Sequence, residues 1–152
     1  MKNNKRKQLY TAITLSLSMG SAMAQFAPEI ELADIGATGA GFVLNGVAAD
    51  DQSGFSVSDA GDINGDGVDD VIIGALRADP NGDLSGATYV VFGKRSGFGA
   101  SLELADLNGT DGCVLNGVAA YDQSGISVNA AGDINGDGID DLIIGARAAD
   151  TN

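Results

Sequence analysis

The chain has 152 residues, with 21 acidic against eight basic side chains and a formal net charge of −13 at neutral pH. Such a surface repels nucleic acid and anionic lipid, which excludes both as partners. Because the chain has no histidine and one cysteine, it can form neither a Ser-His-Asp triad nor an intrachain disulfide.

The N-terminus has the pattern of a secretory signal peptide over residues 1–24. A basic start precedes a mostly apolar stretch from Leu9 to Met19, and Ala22-Met23-Ala24 offers a small-x-small cleavage site. The apolar stretch is shorter than the ~20 residues that a membrane span needs. We therefore predict cleavage after Ala24, no membrane span, and a protein that is secreted or held at the cell surface. The alternative is a disordered or interfacial amphipathic N-terminus.

An internal repeat follows a lead-in segment at residues 25–40. Gly41–Asn81 aligns with Gly112–Asn152, and 31 of the 41 aligned pairs are identical. We therefore divide the rest of the chain into a first repeat at 41–111 and a second at 112–152. The second repeat stops where the first has reached Asn81, so we expect this chain to be a piece of a longer protein.

Each repeat has the pattern of β-structure. In chain order, the strand signals are the β-rich run Phe42–Leu44, the alternating run Gly54–Ser58, the continuous apolar run Val71–Ile73 and the β-rich run Ala87–Phe92. The 23 glycines argue against long helices. About four strands in ~71 residues is the content of one propeller blade. We predict an all-β, partial β-propeller of about 1.6 antiparallel four-stranded blades, with a β-solenoid as the alternative.

An acidic loop stands between the second and third strand signals. Asp62, Asn64, Asp66 and Asp70 fall at positions 1, 3, 5 and 9 of the loop, where odd-numbered oxygen ligands point to one centre, and Val68 at position 7 can lend its carbonyl. These hard oxygen ligands fit Ca²⁺ better than Mg²⁺. An EF-hand is excluded because it needs a Glu at position 12, where this loop has an apolar residue. The alternative is an Asx-rich turn whose side chains only cap backbone amides.

The residues GFSVSDAGDINGDGVDDVIIGA and GISVNAAGDINGDGIDDLIIGA resemble the FG-GAP repeat of integrin α-subunit propellers and of many bacterial secreted and surface proteins. The resemblance implies a calcium ion in the hairpin between two strands of each blade. The ligands it implies are Asp62, Asn64, Asp66, Val68 (carbonyl) and Asp70 in the first loop, and Asp133, Asn135, Asp137, Ile139 (carbonyl) and Asp141 in the second. Asp69 and Asp140, at position 8, are expected to point outward.

The function that these features favour is a calcium-binding structural and binding module for adhesion or surface recognition, not an enzyme and without catalytic residues. Its expected partners are calcium ions, an extracellular protein or glycan, and further propeller blades. Those blades would come from the same longer chain or from self-association, because a blade alone leaves apolar faces uncovered. The alternative is an accessory propeller of, or part of, a secreted hydrolase or lyase.

Overall fold

The computed structural model describes residues 11–15, 29 and 31–149 of the chain, and this part is built mainly of strands. The predicted cleavage site after Ala24 and residues 150–152 lie outside the described residues. The strands are β1 (Thr11–Leu15), β2 (Gly41–Asn45), β3 (Ser56–Gly61), β4 (Asp70–Ala75), β5 (Ala87–Val91), β6 (Ser101–Glu103), β7 (Gly112–Asn116), β8 (Ser124–Gly132) and β9 (Asp141–Ala146). The helices of this part are one short α-helix, α1 (Ile35–Thr38), and single 3₁₀ turns at Leu32–Asp34 and Leu104–Asp106. The all-β prediction is therefore confirmed.

The centre of the structure is an antiparallel four-stranded sheet with the order β3-β4-β5-β7. The apolar run on β4 supplies its core, because Ile72 and Ile73 point to opposite faces and both are fully buried. Ile72 pairs with Ser58 on one side and with Val90 on the other. This sheet is one complete propeller blade, and its central strand is covered on both faces, as the continuous apolar pattern predicted.

The complete blade does not cover the same residues as the sequence repeat that begins at Gly41. Its fourth strand, β7, comes from the second repeat, so the blade runs from Ser56 to Asn116. The equivalent strand of the first repeat, β2, lies in a separate sheet of order β1-β2-β6. The hairpin β8-β9 repeats β3-β4 and forms the start of a second blade. The described part of the chain thus holds one whole blade between pieces of two others.

Strand β1 lies beside β2 as β5 lies beside β7. Thr11 pairs with Asn45 and Leu15 with Gly41, which is the antiparallel register in which Ala87 pairs with Asn116 and Val91 with Gly112. Because Asn45 and Gly41 are the repeat equivalents of Asn116 and Gly112, β1 has the third-strand position of a blade whose fourth strand is β2.

Two apolar clusters hold these pieces together. The first joins the β1-β2-β6 sheet to the complete blade and includes Phe42, Leu44, Ile73, Tyr89 and Val91. The second joins the blade to the β8-β9 hairpin and consists of Ala60, Ile72, Val90 and Val128, with Cys113 packed at its edge. Burial raises the pKa of the Cys113 thiol, which keeps it protonated and unreactive. Neighbouring blades therefore stack face to face through apolar side chains.

No helix within residues 11–15, 29 and 31–149 has both the length and the apolar character that crossing a membrane requires.

Candidate metal centre

Both acidic loops are the connections of β-hairpins. The first joins β3 to β4 and the second joins β8 to β9, with Asp70 and Asp141 as the first residue of the returning strand. Gly65 and Gly67 have φ angles of 74° and 80°, a left-handed conformation in which a side chain is unfavourable. These glycines let the loop reverse within a few residues, so that its side chains can point inward.

In the first loop, the side chain of Asp62 accepts hydrogen bonds across the turn from the amides of Asp66 (3.0 Å) and Gly67 (2.8 Å). Asn64 Oδ1 also accepts from the Asp66 amide (2.9 Å), and Asp66 Oδ1 accepts from the Val68 amide (2.9 Å). Each bond fixes a side chain of the predicted ligand set to the loop backbone. These hydrogen bonds therefore fix the orientation of three predicted ligand side chains without the help of an ion.

Asp70 is the buried member of the first loop. Its two carboxylate oxygens accept hydrogen bonds from the amides of Ile63 (3.1 Å) and Gly93 (2.8 Å). Burial raises the pKa of Asp70, and the nearby negative charges of Asp66 and Asp62 raise it further, while the two hydrogen bonds act in the opposite direction. A carboxylate that is almost fully enclosed beside two others is electrostatically unfavourable, and a bound cation would relieve this.

The second loop repeats this arrangement. Asp133 accepts hydrogen bonds from three amides, those of Gly136, Asp137 and Gly138, at 2.7, 3.0 and 2.8 Å. The hydrogen bond from Gly138 is the main cause of the lowered pKa of Asp133. Burial acts in the opposite direction, and the hydrogen bonds from Gly136 and Asp137 lower the pKa further. Asn135 and Asp137 accept from the amides of Asp137 and Ile139, both at 2.9 Å.

Residues at positions 3 and 9 of the second loop come into direct contact. Asn135 Nδ2 donates to Asp141 Oδ1 at 3.3 Å, and Asp141 Oδ2 accepts from the Ile134 amide at 2.9 Å, as Asp70 does from Ile63 in the first loop. The structure therefore brings together residues that stand six positions apart in the sequence, as a ligand set requires.

The loops do not, however, gather their acids into a closed cage. In the part of the chain that the structure describes, no three acidic side chains converge closely enough to form a metal-binding cluster. The carboxylates are held on backbone amides instead. Because a carboxylate has about four lone-pair positions, one that accepts one or two amides can still bind a cation. The oxygen-rich donor set thus fits a hard divalent ion that would draw the side chains inward.

Asp140, at position 8 of the second loop, has a contact that the sequence analysis missed. Its carboxylate leaves its own loop and accepts a hydrogen bond from the amide of Asp62 in the first loop, at 3.0 Å. Gly61 makes room for it, because a side chain at Gly61 would collide with the Asp140 carboxylate. The repeated glycine before each acidic loop was the available signal. Asp69, the equivalent of Asp140, is exposed to solvent.

A basic side chain also reaches the first loop. Arg95 donates from its guanidinium to the carbonyl of Gly67 at 3.0 Å. This contact joins the loop to the segment that follows β5 of the same blade.

Stacked blades, hairpin loops and an internal period define this chain as a repeat protein of the β-propeller class. Residues 55–91 and 124–152 match the FG-GAP repeat family, so these two segments are similar to FG-GAP repeats. The first match ends at Val91, the last residue of β5, and the second starts at Ser124, the first residue of β8. The two matches thus start at Phe55, one residue before β3, and at the first residue of β8.

Two curated relatives are integrin alpha chains. The chain is 32% identical to integrin alpha ina-1 of Caenorhabditis elegans over 113 residues, which is 71% of this chain and 10% of that protein. It is 36% identical to integrin alpha-6 of Gallus gallus over 86 residues, which is 56% of this chain and 7% of that protein. The chain thus spans a tenth or less of the length of these relatives.

Proposed function

We propose that this chain is a calcium-binding segment of an extracellular propeller, in which each acidic loop takes one Ca²⁺. The ligands are Asp62, Asn64, Asp66, Asp70 and the Val68 carbonyl in the first loop. In the second they are Asp133, Asn135, Asp137, Asp141 and the Ile139 carbonyl. The observation that carries the proposal is the buried carboxylate of Asp70 beside Asp62 and Asp66, in a loop whose hydrogen bonds recur in the second repeat.

Calcium would stabilise the fold in place of disulfides. Each loop closes a hairpin of a blade, and its carboxylates repel one another until a cation neutralises them. At ~1 mM Ca²⁺ and a Kd of ~10⁻⁴ M, binding to the folded state alone gives about 1.4 kcal/mol per site. Two sites would supply about 3 kcal/mol, which is a large part of the stability of a small domain.

Isothermal titration calorimetry of Ca²⁺ into the chain tests this assignment. We expect two sites for the wild type, one for Asp62→Asn, one for Asp133→Asn, and none for the double variant. Asp106→Asn, which removes an exposed acid outside both loops, is the matched control and should keep two sites. Absence of binding at millimolar Ca²⁺ would overturn the proposal, as would equal loss in the Asp106 variant.

We further propose that the module serves adhesion or surface recognition outside the cell, exported by the N-terminal leader, as in bacterial secreted and surface proteins. The support is the similarity to two integrin alpha chains together with the export pattern of residues 1–24. Its ligand would be an extracellular protein or a glycan, bound without catalysis.

Binding to arrays of extracellular-matrix proteins and of glycans, in Ca²⁺ and in EDTA, tests this role. We expect a signal that depends on Ca²⁺ and is lost in the double variant Asp62→Asn/Asp133→Asn. A signal of equal strength in EDTA and in the double variant would separate recognition from the calcium sites.

A further inference from the structure

The two acidic loops are in direct contact through a single side chain. Asp140 Oδ2 accepts a hydrogen bond from the amide of Asp62 at 3.0 Å, although the two residues lie 78 positions apart in the chain. Asp62 is position 1 of the first loop, and Asp140 is position 8 of the second. Asp69, at position 8 of the first loop, is exposed to solvent instead. The contact therefore belongs to the pair of loops and not to each loop by itself.

The first loop has a space that only this carboxylate fills. A Cβ at Gly61 would lie 2.1 Å from Asp140 Oδ2, which is closer than two such atoms can approach. Gly61 also has a left-handed φ angle of 66°, so two separate constraints favour a glycine at this position. Any larger residue would displace the Asp140 carboxylate from the amide of Asp62.

The strands below the loops hold the two hairpins in a fixed relation. Ser56 Oγ donates to the carbonyl of Gly125, and Ser58 Oγ donates to Asn129 Oδ1, both at 2.7 Å. These bonds join β3 to β8 on the way to the acidic loops. Asp140 itself is half-buried. Its carboxylate is therefore a fixed part of the contact and not a surface side chain that turns freely.

At one end of the contact, Asp140 orients a predicted calcium ligand. The side chain of Asp62 accepts hydrogen bonds from the amides of Asp66 (3.0 Å) and Gly67 (2.8 Å), and its own amide donates to Asp140. The first two bonds lie within the loop, whereas the third comes from outside it. Without the third bond, the backbone of Asp62 would have more freedom to move. Asp140 thus helps to hold position 1 of the first loop in place.

At the other end, Asp140 lies between two predicted ligands of the second loop. Ile139 precedes it at position 7 and Asp141 follows it at position 9. Asp141 is already held, because its Oδ2 accepts from the amide of Ile134 at 2.9 Å and its Oδ1 accepts from Asn135 Nδ2 at 3.3 Å. Ligation through the Ile139 carbonyl and the Asp141 carboxylate would fix the backbone on both sides of Asp140. Occupation of the second loop would therefore restrict the residue that holds Asp62.

We propose that Asp140 is a positioning residue that couples the two calcium sites, so that binding at the second loop strengthens binding at the first. This inference rests on the proposed function, and it adds to that function a regulation of one site by the other. Ordering of Asp140 by the second site lowers the entropy cost of ordering Asp62 at the first. Because coupling is reciprocal, occupation of the first loop strengthens the second by the same factor. For a coupling carried by one hydrogen bond, we expect about fivefold in affinity.

Calorimetric titration of Ca²⁺ into three forms of the chain measures this factor. Asp133→Asn gives the association constant of the first site alone, and Asp62→Asn gives that of the second site alone. In the wild type, the product of the two association constants should exceed the product of these single-site constants by about fivefold. Independent sites give a ratio of one.

The same three titrations in other backgrounds assign the coupling to Asp140. In Asp140→Ala the ratio should fall to about one, because alanine cannot accept from the amide of Asp62. Asp140→Asn should retain more of the coupling than alanine does, because its amide oxygen can still accept this bond. Asp69→Ala is the matched control, since it removes an acid at the same loop position without breaking the contact, and it should keep the wild-type ratio. Far-UV circular dichroism without Ca²⁺ checks that each variant folds.

The amide resonance of Asp62 in NMR spectra gives a readout that does not depend on binding at the first loop. Asp66→Asn should disable the first site and leave the hydrogen bond between Asp62 and Asp140 intact. Filling the second loop with Ca²⁺ should then shift the Asp62 amide resonance, and the double variant Asp66→Asn/Asp140→Ala should lose this shift. A role of Asp140 in fold stability alone predicts no such shift.

The outcomes separate this inference from the calcium assignment. A wild type that fills both sites with a ratio of one overturns the coupling and leaves the two calcium sites in place. A ratio that persists in Asp140→Ala, or that is lost equally in Asp69→Ala, overturns the role of Asp140. An Asp62 amide that does not respond while the second loop fills does so too. Absence of any Ca²⁺ binding overturns both the proposed function and the coupling.

Discussion

Ile72 and Ile143 provide a matched test of the blade-to-blade packing. Both lie at the same repeat position of the same kind of strand, and they differ in exposure, 0% against 60%. Truncation of a fully buried isoleucine to alanine loses its burial free energy and leaves a cavity, about 2–5 kcal/mol. At Ile143 less than half of the side chain is covered and no closed cavity forms, so the loss should stay below about 1 kcal/mol. We expect the two variants to differ by at least about 1 kcal/mol.

Urea unfolding followed by far-UV circular dichroism measures this difference. The protein should be in excess Ca²⁺, so that both variants have the same ion occupancy. A change in midpoint at constant m-value reports stability alone. If alanine at Ile72 prevents folding, the valine pair gives the same comparison at about 0.5–1.5 kcal/mol for the buried position. Equal losses at the two positions would refute the packing of β8-β9 on the first blade.

Three further predictions follow from the loops and turns. Gly61→Ala should lower the melting temperature more than Gly132→Ala, because both have a left-handed φ but only Gly61 faces the Asp140 carboxylate; equal shifts in thermal unfolding would contradict this. EDTA should lower the melting temperature in scanning calorimetry, by an amount that excess Ca²⁺ restores and Mg²⁺ does not. Burial raises the pKa of Asp51, more than its hydrogen bond with Ala48 lowers it. The folded state therefore binds the proton of the Asp51 carboxyl more tightly than the unfolded chain does. The free energy of unfolding then falls as the pH rises from about 3.9 through the raised pKa of Asp51. In EDTA, Asp51→Asn should remove the contribution of Asp51 to the pH dependence of the free energy of unfolding. An unchanged pH dependence in this variant would contradict the assignment to Asp51.

The local elements of this protein could be predicted from the sequence because their determinants lie close together in the chain. The run Val71–Ile73 indicated a strand covered on both faces, and β4 has that character. The spacing of Asp62, Asn64 and Asp66 indicated an inward-turned loop, and the hydrogen bonds of that loop link residues two to five positions apart. The ion itself stays a prediction.

The residue at which each blade begins could not be predicted from the repeat. A repeat can be cut at any residue, and 41–111 is as regular a unit of 71 residues as 56–126, which starts at the first strand of the blade. Only strand pairing shows that β7 of the second repeat completes the first blade. The role of Asp140 was missed for a similar reason, since its hydrogen-bond partner Asp62 lies 78 residues away.

The sequence alone thus determined the period, the four strand signals of the repeat and the composition of the acidic loops, because short-range hydrogen bonds and apolar alternation act within a few residues. The tertiary structure decided which copy of each residue is buried. Ile72 and Ile143 have the same local sequence, and nothing local distinguishes them. The neighbour that covers one and not the other is set by contacts between segments about 71 residues apart, and burial depends on that neighbour.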